Sequence, residues 1–274
     1  MKRLKGWLGL NGHGPSGSNG THAVHRPLCI VRHFDRMSSQ AESYRSLRTA
    51  LELVGQSTPF RTLVVTSPGP QEGKSTTLIN LGVLFWELGR RVMLVDGDLR
   101  RGCLHRVFGV PQAPGLTDLI LGKAETLFPI TELKPGFFLM TRGGRYDKPA
   151  VLLGSPALRQ ALALMQGRAD VILVDSSPIL PVSDTLKLAQ AADAVLVVVR
   201  AGYTPRSDAA RARKMLQATR ANVLGIVLNG VQGHHLPTRY YGTYSSYYGV
   251  DSDQEVDPLP GEQGVGVEGL DRFS

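Results

Sequence analysis

The hydrophobic residues of this chain are gathered in short runs, and amphipathic segments lie between the runs. The runs are rich in Val, Ile and Leu, which is typical of strands that are buried on both faces of a sheet. They lie at residues 62–66, 91–96, 137–141, 171–175, 194–199 and 223–228. Apolar residues at three-to-four spacing predict helices from about Ser38 and over residues 76–88, 155–165, 184–192 and 206–219.

Strands that alternate with helices in this way predict right-handed βαβ units. The expected fold is therefore α/β, with a doubly wound, mostly parallel sheet. The pattern begins near residue 38 and stops after about residue 232. We therefore expect three parts: a flexible arm at residues 1–37 that is rich in Gly and Ser, a folded domain at 38–232 and a disordered tail at 233–274.

The formal charge is +8, and it is unevenly spread along the chain. Residues 1–40 carry six basic side chains against Asp35, a net of +5, and residues 249–274 carry seven acidic side chains against Arg272, a net of −6. The middle of the chain is therefore basic as well, which suits phosphate ligands, an anionic membrane surface or nucleic acid. No motif of nucleic-acid binding is present in the sequence, so we expect no nucleic-acid partner.

Apolar runs and cysteines bear on the compartment in which the protein works. No run approaches the roughly 18 apolar residues that cross a bilayer, and the apolar stretch after the charged N-terminus is too short for a signal peptide. Cys29 and Cys103 stand apart, without the spacing of metal ligands. We therefore expect a cytoplasmic protein with reduced thiols.

A glycine-containing loop, SPGPQEGKST at residues 67–76, lies between the first predicted strand and the helix after it. At such a junction, backbone N–H groups and a helix N-terminus can surround phosphate groups. Gly73 would permit close approach of the backbone, Lys74 would contact the β- and γ-phosphates, and Ser75 would be a ligand of Mg²⁺. The expected nucleotide-binding residues are Gly69, Pro70, Gln71, Glu72, Gly73, Lys74, Ser75 and Thr76, with ATP and Mg²⁺ as the ligands.

Carboxylates follow two further strands. Asp96 and Asp98 come at the end of VMLVDGD, and Asp175 ends VILVD. In a doubly wound sheet the carboxyl ends of the strands line the ligand crevice. One carboxylate there can hold Mg²⁺ and another can accept a proton from an attacking hydroxyl, whereas helix capping by Asp98 or Asp175 is the structural alternative. Arg100 and Arg101 could neutralise a transferring phosphate or pair with acids, and the sequence does not decide between these roles.

Together these motifs resemble those of the bacterial tyrosine kinases of capsule and exopolysaccharide synthesis. PQEGKST matches their Walker A motif, VMLVDGDLRR their second acidic motif, Walker A′, and VILVDSSP their Walker B motif. Residues 42–48 match ExxRxxR, the motif through which these kinases assemble rings, and a tyrosine cluster lies near the C-terminus. The resemblance covers about residues 38–250 and implies a fold of the P-loop NTPase type.

The resemblance also implies roles for individual residues. Lys74, Asp96 and Asp98 would be the catalytic residues, and either Asp96 or Asp98 would be the base, with Asp96 favoured. Ser75, Asp98 and Asp175 would hold Mg²⁺. Asn229 would either contact the adenine ring or serve a structural turn.

The remaining implied residues concern assembly and phosphate acceptance. The acceptors would be Tyr240, Tyr241, Tyr244, Tyr247 and Tyr248, phosphorylated in trans by a neighbouring subunit, and the ring contacts would be Glu42, Arg45 and Arg48. The structural alternatives are a low-complexity aromatic tail for the tyrosines and an exposed salt-bridged helix for the other three residues.

The resemblance implies partners as well as an activity. The chain would regulate polysaccharide synthesis or export as a homo-oligomeric ring at the inner face of the cell membrane. A membrane-anchored polysaccharide co-polymerase would recruit and activate it, and a cognate tyrosine phosphatase would reverse the reaction. Three positions depart from the usual motifs: Pro68 and Gln71 replace frequent glycines, and Ser177 replaces a frequent proline.

Two other functions are compatible with a phosphate-binding loop. A ParA/MinD-like ATPase switch would share the fold, but its loop carries an early lysine where this chain has Gly69. A non-catalytic regulatory subunit could bind nucleotide and be phosphorylated by another kinase. The intact Lys74 and the three aspartates argue against that possibility.

Overall fold

The structure is a computed structural model, and it describes residues 38–123 and 128–231. Contacts within the chain divide it into residues 1–235 and 236–274, and every described residue belongs to the first unit. The predicted arm at 1–37, the tail at 233–274 and the five clustered tyrosines lie outside the described residues. The predicted boundaries of these parts stay predictions.

A seven-stranded sheet forms the centre of the described domain. Its strands are β1 (Thr62–Thr66), β2 (Val92–Asp96), β3 (Thr131–Lys134), β4 (Phe137–Met140), β5 (Val171–Asp175), β6 (Ala194–Arg200) and β7 (Val223–Asn229). Their order across the sheet is β3-β4-β2-β5-β1-β6-β7. Neighbouring strands are parallel except for β3 and β4, which are antiparallel. The predicted α/β fold with a mostly parallel sheet is therefore confirmed.

Eight helices accompany the sheet in the described part of the chain. They are α1 (Ser39–Ser57), α2 (Lys74–Glu87), α3 (Leu104–Phe108), α4 (Leu116–Ile120), α5 (Pro149–Leu153), α6 (Pro156–Gln166), α7 (Asp184–Ala191) and α8 (Arg206–Ala218). The sequence pattern predicted the long helices but missed α3, α5 and the edge strand β3, which are too short to show a period. None of the described helices is long and apolar enough to cross a bilayer.

The sheet has a hydrophobic core on each face, because successive side chains of a strand point in opposite directions. On β1, Leu63 and Val65 join the core that contains α1 and α2, whereas Val64 joins the core that contains α6 and α7. All three side chains are almost completely buried. Two helical layers therefore enclose the central strands, which explains why those strands have no polar face.

Helix α1 carries the residues predicted to mediate ring assembly. Its N-terminus is capped by Ser38, whose side chain accepts a hydrogen bond from the backbone N–H of Ala41 at 3.2 Å. Glu42 pairs with Arg45 at 3.0 Å within the helix, and Arg48 lies 3.5 Å from Glu52. These local ion pairs fit the salt-bridged-helix alternative and leave the side chains partly exposed, so the assembly role stays a prediction.

Candidate active site

The phosphate loop and the predicted aspartates meet at one edge of the sheet. Strands β2, β5 and β1 are neighbours and run parallel, so their carboxyl ends lie side by side. Asp96 is directly opposite Asp175 in the β2–β5 register, and Val65, next to the end of β1, is opposite Asp175 on its other side. The fold thus brings residues 67–76, Asp96, Asp98 and Asp175 into one region.

The loop has the backbone conformation of a phosphate-binding turn. Gly73 has φ +96°, a left-handed conformation that side chains rarely adopt, and it directly precedes the first residue of α2. Gln71 also has a left-handed φ of +60°, which explains why glycine is frequent at this position. The departure at Gln71 is therefore accommodated, at the cost of some backbone strain, and the loop still leads into the N-terminus of α2.

Gly73 is also packed against another strand end. A Cβ atom added to Gly73 would collide with the side-chain amide of Asn229, at the end of β7. That amide donates a hydrogen bond of 3.0 Å to the carbonyl oxygen of Glu72, and its oxygen accepts one of 2.9 Å from the N–H of Gly230. Asn229 therefore holds the backbone of the phosphate loop in place, whereas its predicted contact with adenine stays a prediction.

We expect Gly73→Ala to weaken nucleotide binding at least about tenfold, because it adds left-handed strain of about 1–2 kcal/mol to a collision with Asn229. Gly89→Ala is the matched control, since Gly89 also has a left-handed φ, +78°, but has open space around its Cβ position. Titration calorimetry with ATP and thermal unfolding of both variants would check the prediction. Equal losses of affinity in the two variants would contradict it.

Lys74 and Ser75 both face Asp175. The Ser75 hydroxyl donates a hydrogen bond of 2.5 Å to Oδ2 of Asp175, and Nζ of Lys74 lies 4.0 Å from Oδ1. Asp175 is almost completely buried, and Oδ1 has no hydrogen-bond partner. Burial raises the pKa of Asp175, and the charge of Lys74 opposes that rise.

These contacts fit a Mg²⁺ ion, which prefers a few oxygen ligands together with water and substrate phosphates. A serine hydroxyl and buried carboxylate oxygens without partners are donors of that kind. Within residues 38–123 and 128–231, no three His, Cys, Asp or Glu side chains form a metal cage of their own. A cation here would therefore share its coordination with a bound nucleotide.

Asp96 is completely buried at the end of β2. Its Oδ2 accepts a hydrogen bond of 3.0 Å from the backbone N–H of Leu104, and its Oδ1 is buried without a partner. Burial, with added repulsion from Asp175 and Asp98, raises the pKa of Asp96 to about 8. Gly102 packs against the carboxyl group so closely that a Cβ atom there would lie 2.6 Å from Cγ of Asp96.

Asp98 is held by hydrogen bonds instead. Its Oδ1 accepts bonds from the backbone N–H groups of Arg100 at 3.2 Å and Arg101 at 2.9 Å, and from the hydroxyl of Ser177 at 2.8 Å. The capping alternative is therefore partly realised, because Asp98 stabilises the turn that follows it. Ser177, where a proline is frequent, fixes the orientation of Asp98, so one oxygen is held and the other is left for a ligand.

The structure pairs Arg100 with an acid. Its guanidinium group lies 2.6 Å from Oδ2 of the buried Asp184, at the start of α7. Arg101 is exposed, and no ion pair to it is found among the described residues. The open question about Arg100 is thus decided in favour of a structural pair.

A second set of loop contacts escaped the sequence analysis. The Glu72 carboxylate is buried; it accepts a 3.1 Å hydrogen bond from the N–H of Gly69 and a 2.6 Å bond from the Thr204 hydroxyl. Arg200 contacts the carbonyl of Gln71 at 3.4 Å. The Glu72 side chain therefore stabilises the loop internally, and its predicted contact with nucleotide stays a prediction. No local pattern could have found the contacts of Thr204 and Arg200, which join residues about 130 positions apart.

Comparison with known proteins agrees with this geometry. The CobQ/CobB/MinD/ParA nucleotide binding domain family matches residues 63–249. Tyrosine-protein kinase YwqD of Bacillus subtilis is 32% identical over 220 residues, which cover 80% of this chain and 93% of that protein. The solved structure of the BceF tyrosine kinase domain superimposes with a TM-score of 0.67 and 35% identity, covering 74% of this chain and 82% of that one.

A third relative is much longer than this chain. Putative tyrosine-protein kinase EpsB of Ralstonia nicotianae is 35% identical over 209 residues, which cover 76% of this chain but 27% of that protein. The chain thus spans nearly all of one curated relative and about a quarter of another.

The fold and the loop define a P-loop nucleotide-binding domain of the CobQ/CobB/MinD/ParA class. Within that class, the chain belongs to the bacterial tyrosine-protein kinases. Relatives of this kind favour phosphate transfer to tyrosine over the hydrolytic switch of the ParA/MinD type. The early lysine of those switches is absent here, since the corresponding position is Gly69.

Proposed function

We propose that the chain transfers the γ-phosphoryl group of ATP to the tyrosines of its own C-terminal cluster, and that the transfer takes place between neighbouring copies. The observation that carries the proposal is the meeting of Lys74 and Ser75 with three buried aspartates at one sheet edge. The same chain supplies acceptors, because five of its eight tyrosines lie within residues 240–248.

The proposed reaction is an in-line displacement at the γ-phosphorus atom. The phenol oxygen of the acceptor forms the new O–P bond, the bond to the β–γ bridging oxygen breaks, and ADP leaves. Lys74 compensates the negative charge of the β- and γ-phosphate oxygens. The phenol proton passes to an aspartate, so the charges and atoms balance.

Asp96 is the proposed base and Asp98 the second catalytic carboxylate. A pKa of about 8 makes the ionised form of Asp96 a stronger base than an ordinary carboxylate, and its Oδ1 has no hydrogen-bond partner to replace. By contrast, Oδ1 of Asp98 is already engaged in three hydrogen bonds that hold the side chain in place. Asp98 is therefore better suited to hold a ligand in position.

Ser75, Asp98 and Asp175 are the residues that would hold Mg²⁺. When it is bound, the ion would neutralise charge on the phosphate oxygens. The Ser75–Asp175 hydrogen bond supports this assignment, because it keeps both oxygen donors on the same side of the loop.

The physiological part of the proposal follows the resemblance to kinases of capsule and exopolysaccharide synthesis. The chain would regulate polysaccharide synthesis or export as a ring that forms through Glu42, Arg45 and Arg48. A membrane-anchored co-polymerase would recruit it to the inner face of the membrane and activate it. A cognate phosphatase would remove the phosphates.

Changing all five clustered tyrosines to phenylalanine is expected to abolish autophosphorylation while leaving nucleotide binding unchanged, because the acceptors lie outside the loop and its aspartates. Phosphotyrosine would be measured by mass spectrometry after incubation with MgATP. Tyr203→Phe is the control, since Tyr203 is 50% exposed and lies outside the cluster. Phosphate that persists on the five-phenylalanine chain would refute the choice of acceptors.

Mixing two variants tests whether the transfer occurs between copies. The five-phenylalanine chain keeps its loop, and the Lys74→Met chain keeps its tyrosines. We expect the Lys74→Met chain to become phosphorylated only when the five-phenylalanine chain is present. If neither chain is labelled in the mixture while the wild type is labelled, the transfer is intramolecular and the proposal of transfer in trans is wrong.

A further inference from the structure

A polar pocket of about 340 Å³ lies between the segments that follow β2 and β4. It is lined by Leu99 and Arg100, which follow β2, and by residues between 142 and 149, which follow β4. Because β2 and β4 are adjacent parallel strands, both loops lie at the edge where ligand crevices form. Leu99 directly follows Asp98 in the chain, so one residue of the pocket lining is adjacent in sequence to an active-site residue. We name it the arginine pocket.

The lining of the arginine pocket is predominantly positive. Arg100, Arg142 and Arg145 contribute three positive charges against the single carboxylate of Asp147. Arg100 is already paired with Asp184, outside the pocket lining. The charge available to a ligand therefore comes mainly from Arg142 and Arg145.

Arg142 is held firmly without being neutralised. Its guanidinium group donates to the carbonyl oxygens of Leu99 at 3.4 Å and Arg100 at 3.1 Å, and to Oε1 of Gln112 at 2.8 Å. None of these acceptors carries a full charge, and no carboxylate pairs with Arg142 in the part of the chain that the structure describes. Its Nε atom is buried without a hydrogen-bond partner. The positive charge is thus fixed in place without a carboxylate in direct contact, although it also acts at longer range on Asp96.

Arg145 lies at the rim of the pocket. Its side chain is 92% exposed and is 3.9 Å from Asp147, which is 91% exposed. An exposed pair at that distance is weak, so an incoming anion can displace Asp147 at little cost. The neighbourhood also affects His105, because burial and then the charges of Arg142 and Arg106 lower its pKa. The repulsion from Arg142 and Arg106, added to the effect of burial, indicates a positive local field that favours anions.

The chain contains a matching anionic segment directly after its tyrosine cluster. Asp251, Asp253, Glu255 and Asp257 occupy alternate positions. In an extended peptide, alternate side chains point to the same side, so all four carboxylates would face one surface. Asp251 lies three positions after Tyr248, a span of at most about 11 Å when the chain is extended. A tyrosine near Asp96 and Asp98 could therefore place the first of these acids in the adjoining pocket.

We propose that the arginine pocket binds carboxylate side chains that follow an acceptor tyrosine, so that the kinase prefers tyrosines with acidic residues on their C-terminal side. The inference rests on the proposed function and names its substrate class. Carboxylates fit better than phosphotyrosine as the occupant, because the acidic residues are present before any phosphate has been transferred. Within the cluster, Tyr247 and Tyr248 are the nearest to the acids and become the preferred acceptors.

A binding experiment without nucleotide tests the inference. The probe is a fluorescein-labelled peptide of residues 242–258 in which the three tyrosines are replaced by phenylalanine. The receptor is the full chain with its own acids removed by Asp251→Asn, Asp253→Asn, Glu255→Gln and Asp257→Asn, so that it does not compete with the probe. Fluorescence anisotropy gives the affinity at low salt, where charge interactions are least screened.

We expect the same four substitutions in the peptide to weaken binding at least about tenfold, and Arg145→Glu in the receptor to weaken binding of the acidic peptide about tenfold. A peptide with lysine at the four positions should bind Arg145→Glu better than it binds the wild-type pocket. Arg159→Glu is the matched control, because Arg159 is an exposed arginine on α6, outside the pocket lining.

Three results would overturn the inference. The first is an affinity for the neutral peptide that equals that for the acidic peptide. The second is an equal effect of Arg159→Glu and Arg145→Glu, which would indicate only the general charge of the domain. The third concerns a peptide in which the four acids are substituted and position 247 is phosphotyrosine. If this peptide bound more tightly than the acidic peptide, and if its binding depended on Arg145, the pocket would be a site for the product.

The binding experiment is independent of phosphate transfer. If the clustered tyrosines proved not to be phosphorylated, the proposed function would fail while acid-dependent binding at Arg145 could still be measured. If the tyrosines were phosphorylated but the acids contributed nothing to binding, only the inference about the pocket would fail. The two experiments therefore separate the two claims.

Discussion

Replacing Lys74 by methionine is expected to reduce tyrosine phosphorylation at least about a hundredfold, because a preorganised positive charge on the transferring phosphate is lost. Lys74 is the first residue of α2, and its side chain is only 17% exposed. Its position is fixed by the loop before it and by the neighbouring Asp175, so a flexible surface lysine cannot replace it. The measurement is the initial rate of phosphotyrosine formation with saturating MgATP.

Lys214→Met serves as the control for the loss of one positive charge, because Lys214 lies exposed on α8, far along the chain from the loop. Thermal unfolding of both variants distinguishes loss of activity from loss of folding. Removal of Lys74 also removes the charge that opposes the raised pKa of Asp175, so Asp175 should then be protonated up to a higher pH. Wild-type rates in Lys74→Met would exclude a kinase reaction at this loop.

The second large effect is expected at Asp96. We predict that Asp96→Asn lowers the rate of transfer at least about a hundredfold, as the loss of a general base does. In the wild type, the rate should rise as the pH increases from 6 towards 8, because the pKa of Asp96 is raised to about 8 and only the ionised form can accept the phenol proton. The pH dependence of the rate is the measurement.

The same residue should make stability depend on pH. The pKa of Asp96 is about 8 in the folded state and about 3.9 in the unfolded chain, so between these values the folded state holds a proton that the unfolded state has released. Stability should therefore fall as the pH rises through this window and level off above pH 8. Asp96→Asn lacks this pH-dependent contribution to the free energy of unfolding. Plots of that free energy against pH should therefore differ in slope by about 1.4 kcal/mol per pH unit between the wild type and Asp96→Asn.

Urea unfolding between pH 5 and 8 measures these slopes. Asp170→Asn is the control, because hydrogen bonds from Arg91 lower the pKa of Asp170 in the folded state. The contribution of Asp170 to the free energy of unfolding is therefore constant at any pH above the pKa that its carboxyl group has in the unfolded chain. Asp170→Asn should therefore change the stability by a similar amount at every pH in this window. Parallel curves for the wild type and Asp96→Asn would show that Asp96 is ionised in the folded state across this range, and the raised pKa of Asp96 would be wrong.

The long elements of the fold were predictable from the sequence because their hydrophobic patterns are local. The central strands show unbroken apolar runs, since both of their faces are covered, and helix α8 shows its period within 13 residues. The elements that were missed, α3, α5 and β3, have four or five residues each. A pattern of that length is compatible with several structures, so their packing against the sheet decides which one forms.

The phosphate loop likewise has features that depend on neighbouring residues and features that depend on distant ones. Its glycine, lysine and serine could be read from their order, because their roles depend on neighbouring backbone groups. The support from Thr204 and Asn229 could not be read, because these residues lie 132 and 157 positions from Glu72. Likewise, the choice for Arg100 between a phosphate and an acid depended on Asp184, which lies 84 positions away.

The sequence by itself determined the class of fold and the residue types of the site, because periodicity and the order of residues in a loop are properties of adjacent positions. Only the tertiary structure decided the strand order that puts Asp96 opposite Asp175, and with it the burial and repulsion that raise the pKa of Asp96. It also decided that the loops after β2 and β4 enclose the arginine pocket. These features depend on which distant segments become neighbours, and burial and charge act through distance in space, not along the chain.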